Sequence, residues 1–122
     1  MAVRSGRLSR SADFERVYRR GRSQGNRHLV LYSFPRGAGD GPRLGVSVGR
    51  KVGGAVERNR VKRLLREAFR ARAADLPADH DFVVVARPAA GELAERGGLA
   101  GVAAALDELL GSAVAGNGEP PS

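Results

Sequence analysis

The chain has 122 residues, a net charge of +8, no cysteine and no tryptophan. That length predicts one domain with one core, and the missing cysteines exclude a disulfide framework, a thiolate nucleophile and cysteine-based zinc sites. No apolar run reaches the roughly 18 residues that would span a membrane, and the basic start MAVRSGRLSRSADF has no apolar h-region, so no secretory signal is expected.

In chain order, Ser11 to Gly21 reads as a short helix. Ser11 is the expected N-cap, Asp13 and Glu15 suit the first turn, and Gly21 is the expected C′ residue. Phe14, Val17 and Tyr18 share one face. His28–Phe34 reads as a strand ending at Pro35. A Gly/Pro-rich loop over 36–42 leads to a second strand, Leu44–Val48. The short connection predicts that these two strands pair antiparallel. A helix over 56–72 follows a polar link with several glycines. Phe82–Ala86 is a continuous apolar strand, expected to be buried on both faces. Leu99, Val102, Ala103, Leu106, Leu109 and Leu110 predict a last amphipathic helix, with Gly97 and Gly98 before it and Gly111 after it. The expected fold is α+β, a two-layer α/β sandwich in the order α-β-β-α-β-α. One domain would cover 1–112, with a flexible arm over 1–8 and a disordered tail over 113–122.

Charge is unevenly spread. Residues 1–72 hold 19 Lys+Arg against 5 Asp+Glu, a net +14, and residues 73–122 hold 2 against 8, a net −6. A field this polarised points to a polyanion. It peaks in VERNRVKRLLREAFRAR, Val56 to Arg72. On a helical wheel Val61, Leu64, Leu65, Ala68 and Phe69 form a core stripe. Arg58, Asn59, Lys62, Arg63, Arg66 and Arg70 adjoin it, and Arg60 stands apart beside Glu67. Like charges four residues apart repel by about 0.2–0.5 kcal/mol per pair, so solubility alone does not call for this face. A membrane-surface helix fits poorly, because the strands need the stripe for a core. Arg58–Arg60 lie in the first turns, where backbone amides also attract anions, and Asn59 can both donate to and accept from RNA groups.

Phe14 and Tyr18 share a helix face, and Val30, Tyr32 and Phe34 share a strand face. They either pack together as core or leave a groove lined by Tyr18 and Tyr32. In such a groove aromatic faces would stack unpaired bases, worth about 1–3 kcal/mol per base. Arg16, Arg19, Arg20, Arg22 and Arg27 are expected around it, a combination that suits single-stranded RNA. Catalytic equipment is sparse. His28 and His80 are the only histidines, and Asp79-His80-Asp81 reads as a polar turn rather than a metal or acid/base cluster. There is no GxxxxGK[ST] loop.

The residues from about Arg7 to Leu110 resemble the protein subunit of bacterial ribonuclease P. The most specific part is Arg58-Asn59-Arg60-Val61-Lys62-Arg63-Leu64-Leu65-Arg66-Glu67-Ala68-Phe69, similar to the family's RNR-x-[KR]-R-x-x-R helix. Gly45 to Gly53, and Asp13-Phe14 with Val17-Tyr18, fit at the family's spacing. The resemblance implies a left-handed β-α-β crossover and an endoribonuclease whose catalytic subunit is RNA, with Mg²⁺ held by that RNA and not by the protein. It implies removal of the 5′ leader of precursor tRNA, a 1:1 complex with the RNA subunit, no membrane and a cytoplasmic setting. Arg58, Asn59, Arg60, Lys62, Arg63 and Arg66 would meet the RNA subunit. Phe14, Tyr18, Val30 and Tyr32 would line the leader cleft, with Arg50 and Lys51 nearby. Tyr18 stands where family members often carry Phe. The resemblance assigns the protein no catalytic residue and no metal ligand. The alternative is a non-catalytic structural RNA-binding protein such as a ribosomal one.

Overall fold

The structure is a computed structural model that describes residues 6–37, 39 and 41–116. Its central element is strand β5, His80–Ala86. Phe82, Val83 and Val84 follow one another and are fully buried, as a strand with apolar layers on both faces must be. It pairs antiparallel with β3 (Leu29–Pro35) and parallel with β4 (Arg43–Val48). Two short edge strands complete the sheet. β1 (Gly6–Arg7) lies beside β4 and β2 (Arg22–Gly25) beside β3, giving the order β1-β4-β5-β3-β2.

This corrects the expected hairpin: β3 and β4 run antiparallel but are separated by β5. The loop between them spans two strand spacings, about 10 Å, which seven residues cover easily. β5 needs a hydrogen-bonded neighbour on each edge, and that need decides the order. β1 and β2 were not expected. Their residues are polar or glycine, and backbone pairing holds them.

Helix α2, Ala55–Arg72, is the crossover between the parallel strands β4 and β5. All five residues of its expected stripe are buried. They join Leu29, Leu31, Leu44, Val48, Phe82 and Val84 in the main core, with Val102, Leu106, Leu109 and Leu110 of helix α3. α2 and α3 are thus the helical layer of the sandwich. Helix α1, Ser11–Arg20, crosses the opposite face, where Val17 packs with Leu8 and Val83.

Ser11 is the first helical residue rather than the cap. Arg10 is the extended residue before it, and its carbonyl accepts from the Asp13 and Phe14 amides. Gly21 is not left-handed (φ −79°). A Cβ there would lie 2.5 Å from the Val17 carbonyl oxygen and 2.7 Å from that of Ser33, so the residue serves a close approach of backbones. α3 runs from Ala89 to Gly116 with a break at Gly98 (φ 57°, ψ −151°). Its first segment buries Ala90 and Ala94, residues too small to signal a helix by bulk. Leu99 was expected in the stripe but is 43% exposed just after the break. The helix also covers 113–116, part of the expected tail, and 117–122 lie outside the described residues. So do 1–5 of the expected arm, whereas Gly6–Arg7 are paired and Leu8 is buried.

One buried charge ties the sheet's end together. Asp81, 0% exposed, receives Nε and a terminal nitrogen of Arg43, each at 2.8 Å, and a terminal nitrogen of Arg36 at 2.8 Å. Arg36 also donates to the carbonyls of Gly41 (2.7 Å), Ala78 (3.1 Å) and His80 (2.8 Å). Removing the carboxylate takes the buried counter-charge from two guanidiniums. Asp81→Ala should therefore lower the unfolding free energy by about 3 kcal/mol, measured by urea denaturation. A loss below about 1 kcal/mol, the scale of an exposed pair, would show that the network contributes little.

Candidate nucleic-acid interface

The face of the sheet under α1 carries a partly open aromatic cluster. Strand pairing sets two rows across it, Gly45–Val83–Tyr32 and Ser47–Val85–Val30. Gly45 matters most for its missing side chain. A Cβ there would sit 2.5 and 2.8 Å from two carbons of the Phe14 ring, so only glycine lets that ring lie on β4. The Phe14 and Tyr18 rings are 6.2 Å apart and tilted by 51°. Tyr18 meets Tyr32 edge-on at 4.9 Å and 80°. Tyr18 remains 39% exposed, and Val30 and Tyr32 are half-buried. Burial pushes the Tyr18 phenol above its ordinary range, a hydrogen bond with the Ser47 side chain opposes that, and Tyr32 adds to it. Tyr18 therefore stays a neutral hydroxyl at physiological pH.

Of the expected cleft residues, Phe14, Tyr18 and Tyr32 come together, and Val30 lies one cross-strand row away. Arg50 and Lys51 are exposed in the turn after β4, closed by the Val52 amide on the Gly49 carbonyl (3.1 Å). They stand just past the Ser47 row. Arg87 follows β5 at the same end of the sheet and donates to the Asn26 carbonyl at 3.2 Å. Sequence reasoning did not place Gly45, Ser47, Val83, Val85 or Arg87 at the cleft. Period-2 alternation in β4 does put Gly45 and Ser47 opposite Leu44 and Val46, but the facing rows depend on register with β5. Arg16 and Arg19 are exposed on α1 and pair with Asp13 (3.5 Å) and Glu15 (2.7 Å). Arg27 lines a depression with Leu93 and Ala104 on the α3 side, so it does not surround the aromatics as expected.

The second surface is the outer face of α2. Asn59, Arg60 and Arg63 line one shallow depression with Val56, which is 69% exposed. Arg60 is thus not apart from the cationic face. Positions three and four apart are neighbours on a helix, and long arginine side chains close the remaining angle. Arg58 and Lys62 are half-buried along the flank of the stripe, and Arg58 Nε lies 3.4 Å from the Gly54 carbonyl. Arg66 reaches toward the sheet edge beside Leu44. The N-cap, Gly54, provides no side-chain cap, so the first-turn amides keep their affinity for anions.

Asp79 and Asp81 flank His80 but serve different partners. The Asp79 carboxylate accepts from His80 Nδ1 at 2.8 Å, which holds its pKa below the ordinary value, while Asp81 is committed to Arg36 and Arg43. Among the described residues no three His, Asp or Glu side chains converge as a metal site.

The family model described as Ribonuclease P matches residues 3–110. The Ribonuclease P protein component of Clostridium acetobutylicum is 46% identical over 88 residues, covering 71% of this chain and 74% of that one. That of Acidothermus cellulolyticus is 47% identical over 106 residues, covering 86% and 85%. Among solved structures, the RNase P protein from Thermotoga maritima superimposes with a TM-score of 0.76 at 36% identity, covering 85% of this chain and 94% of that one. The Staphylococcus aureus RNase P protein gives 0.77 at 32%, covering 90% and 96%.

Gly45→Ala should force the Phe14 ring off β4 and cost about 1–3 kcal/mol as an overpacking change. Thermal unfolding would measure the loss, and ring-proton shifts of Phe14 and Tyr18 would locate it. Unchanged ring shifts would mean that Phe14 does not rest on this glycine.

Proposed function

This chain belongs to the ribonuclease P protein family, and from that membership we propose that it uses two surfaces on opposite sides of one sheet: the α2 face to dock on the RNA subunit, and the α1 cleft to hold the single-stranded 5′ leader of precursor tRNA. Family membership makes it the protein component of ribonuclease P, with the ribonuclease P RNA as partner, and sets aside the ribosomal alternative. The observation that supports the division of labour is the separation of the open aromatic cluster from the basic depression on α2. The Tyr18 ring of α1 meets Tyr32 on one face of the sheet, while Asn59, Arg60 and Arg63 lie on the helical layer across it. A protein built this way can grip two RNA segments at once.

In this reading Phe14, Tyr18, Val30 and Tyr32 receive unpaired leader bases by stacking and apolar contact. Arg50 and Lys51 draw the leader backbone toward the end of β4. Arg58, Asn59, Arg60, Lys62, Arg63 and Arg66 neutralise phosphates of the RNA subunit in a 1:1 complex, releasing counterions as they do so. Mg²⁺ would be held by the RNA rather than by this chain, and would supply activation of water and stabilisation of the leaving oxygen there. The protein's own part is to place the leader and offset phosphate repulsion, which lowers the Mg²⁺ needed. No helix of the described chain is long and apolar enough to cross a membrane, and the cytoplasm, where tRNA precursors are made, is the proposed setting.

Three outcomes test this. Added to ribonuclease P RNA and precursor tRNA at low Mg²⁺, the protein should stimulate 5′ cleavage; no stimulation would refute the assignment. Tyr32→Ala should weaken binding of leader-bearing tRNA by about tenfold, the scale of one lost stacked base, and leave mature tRNA almost unchanged. Equal losses for both would move the leader elsewhere. Arg60→Ala should weaken assembly with the RNA subunit and flatten its salt dependence by about one unit of slope, and an unaltered slope would rule out a phosphate contact at Arg60.

A further inference from the structure

Strand β1 is pinned on both sides of Arg7. The Gly6 amide donates to the Pro42 carbonyl and the Leu8 amide to the Leu44 carbonyl, each at 2.9 Å. Leu8 is buried on the α1 face with Val17 and Val83. Alternation along an extended segment then turns Arg7 to the other face, the side of α2. There it lines a cavity of about 120 Å³ with Arg66 and Arg70, over Leu44 and Phe69. Arg66 and Arg70 are one helical turn apart and so share a face. Among the described residues no carboxylate lies within ion-pair distance of any of the three. The Arg66 guanidinium is held below its ordinary pKa, by burial first and by the Arg7 charge second.

Three guanidiniums over an apolar floor, with no counter-ion among the described residues, are a donor set for one phosphodiester. The guanidinium fork matches two phosphate oxygens at once. The backbone pins of β1 and the core stripe of α2 hold these cations together despite their repulsion, so the site exists before its ligand arrives. We propose that Arg7, Arg66 and Arg70 form a clamp for one backbone phosphate of the RNA subunit, extending the docking surface from α2 to the edge of the sheet. The clamp rests on the reading that α2 docks on that RNA. It lies on the α2 side, across the sheet from the aromatic cleft, so its phosphate comes from the RNA subunit and not from the leader.

Two measurements test the clamp separately from the docking reading. In the first, ¹⁵N-labelled full-length protein is titrated with inorganic phosphate while arginine Nε–Hε signals are followed. Arg7, Arg66 and Arg70 should shift together, and Arg96 on α3 should not. In an Arg7→Gln/Arg70→Gln variant, which keeps most of the aliphatic stems, the Arg66 shift should be lost while the thermal midpoint does not fall. In the second, assembly with ribonuclease P RNA is measured against salt. The double variant should bind about tenfold more weakly, with a slope shallower by about 1–2, and its affinity for a leader oligonucleotide should not change. An Arg66 shift that persists in the double variant, or an unaltered salt slope, overturns the clamp. Failure of the native protein to assemble with the RNA, while phosphate still shifts the three arginines, overturns the docking reading instead and leaves the phosphate site supported.

Discussion

Phe82, Val83, Val84 and Val85 follow one another without a polar break, so β5 needs an apolar layer on each side and a paired neighbour on each edge. The rest of the molecule is arranged around that need. Parallel pairing with β4 requires a long crossover, and α2 is that crossover. Its Phe69 ring meets Phe82 edge-on at 5.6 Å on one face. On the other face Val83 anchors α1 through Val17. The two surfaces that would meet RNA are thus placed by the two faces of a single strand.

Magnitudes explain how α2 tolerates its own charge. Repulsion between like charges four apart costs a few tenths of a kcal/mol per pair. Burying Val61, Leu64, Leu65, Ala68 and Phe69 returns about 1.5–3 kcal/mol for each large side chain. The helix can therefore keep a self-repelling face for a partner without loss of fold. Arg36 and Arg43, by contrast, are neutralised internally by Asp81. The chain separates cations that close its own loops from cations left open to solvent, and only the second kind releases counterions when RNA binds.

Legibility followed the range of the interactions. α2 was readable to within one residue, with its whole stripe, because 18 residues repeat one local period. β5 was readable because a continuous apolar run has no solvent face to give. β1 and β2 were not readable, because backbone hydrogen bonds hold them and leave no side-chain signature. The first segment of α3 was missed because Ala90 and Ala94 carry too little bulk to mark a stripe. The aromatic residues divide between the two readings the sequence left open. Phe14 and Phe34 pack against the smaller core while Tyr18 stays at an opening.

By itself the sequence determined the charge asymmetry, the partition of the basic helix into core and cationic faces, and the resemblance carried by Arg58 to Phe69. These are properties of neighbours along the chain or along one helix. Only the tertiary structure decided that β5 separates β3 from β4, that Gly45 and Ser47 floor the cleft beside Tyr32, that Arg60 joins Asn59 and Arg63, and that Arg7 turns toward Arg66. Each of these depends on strand register or on a face chosen by a distant partner. Local periodicity fixes which residues share a side, but only the packed sheet fixes which sides meet.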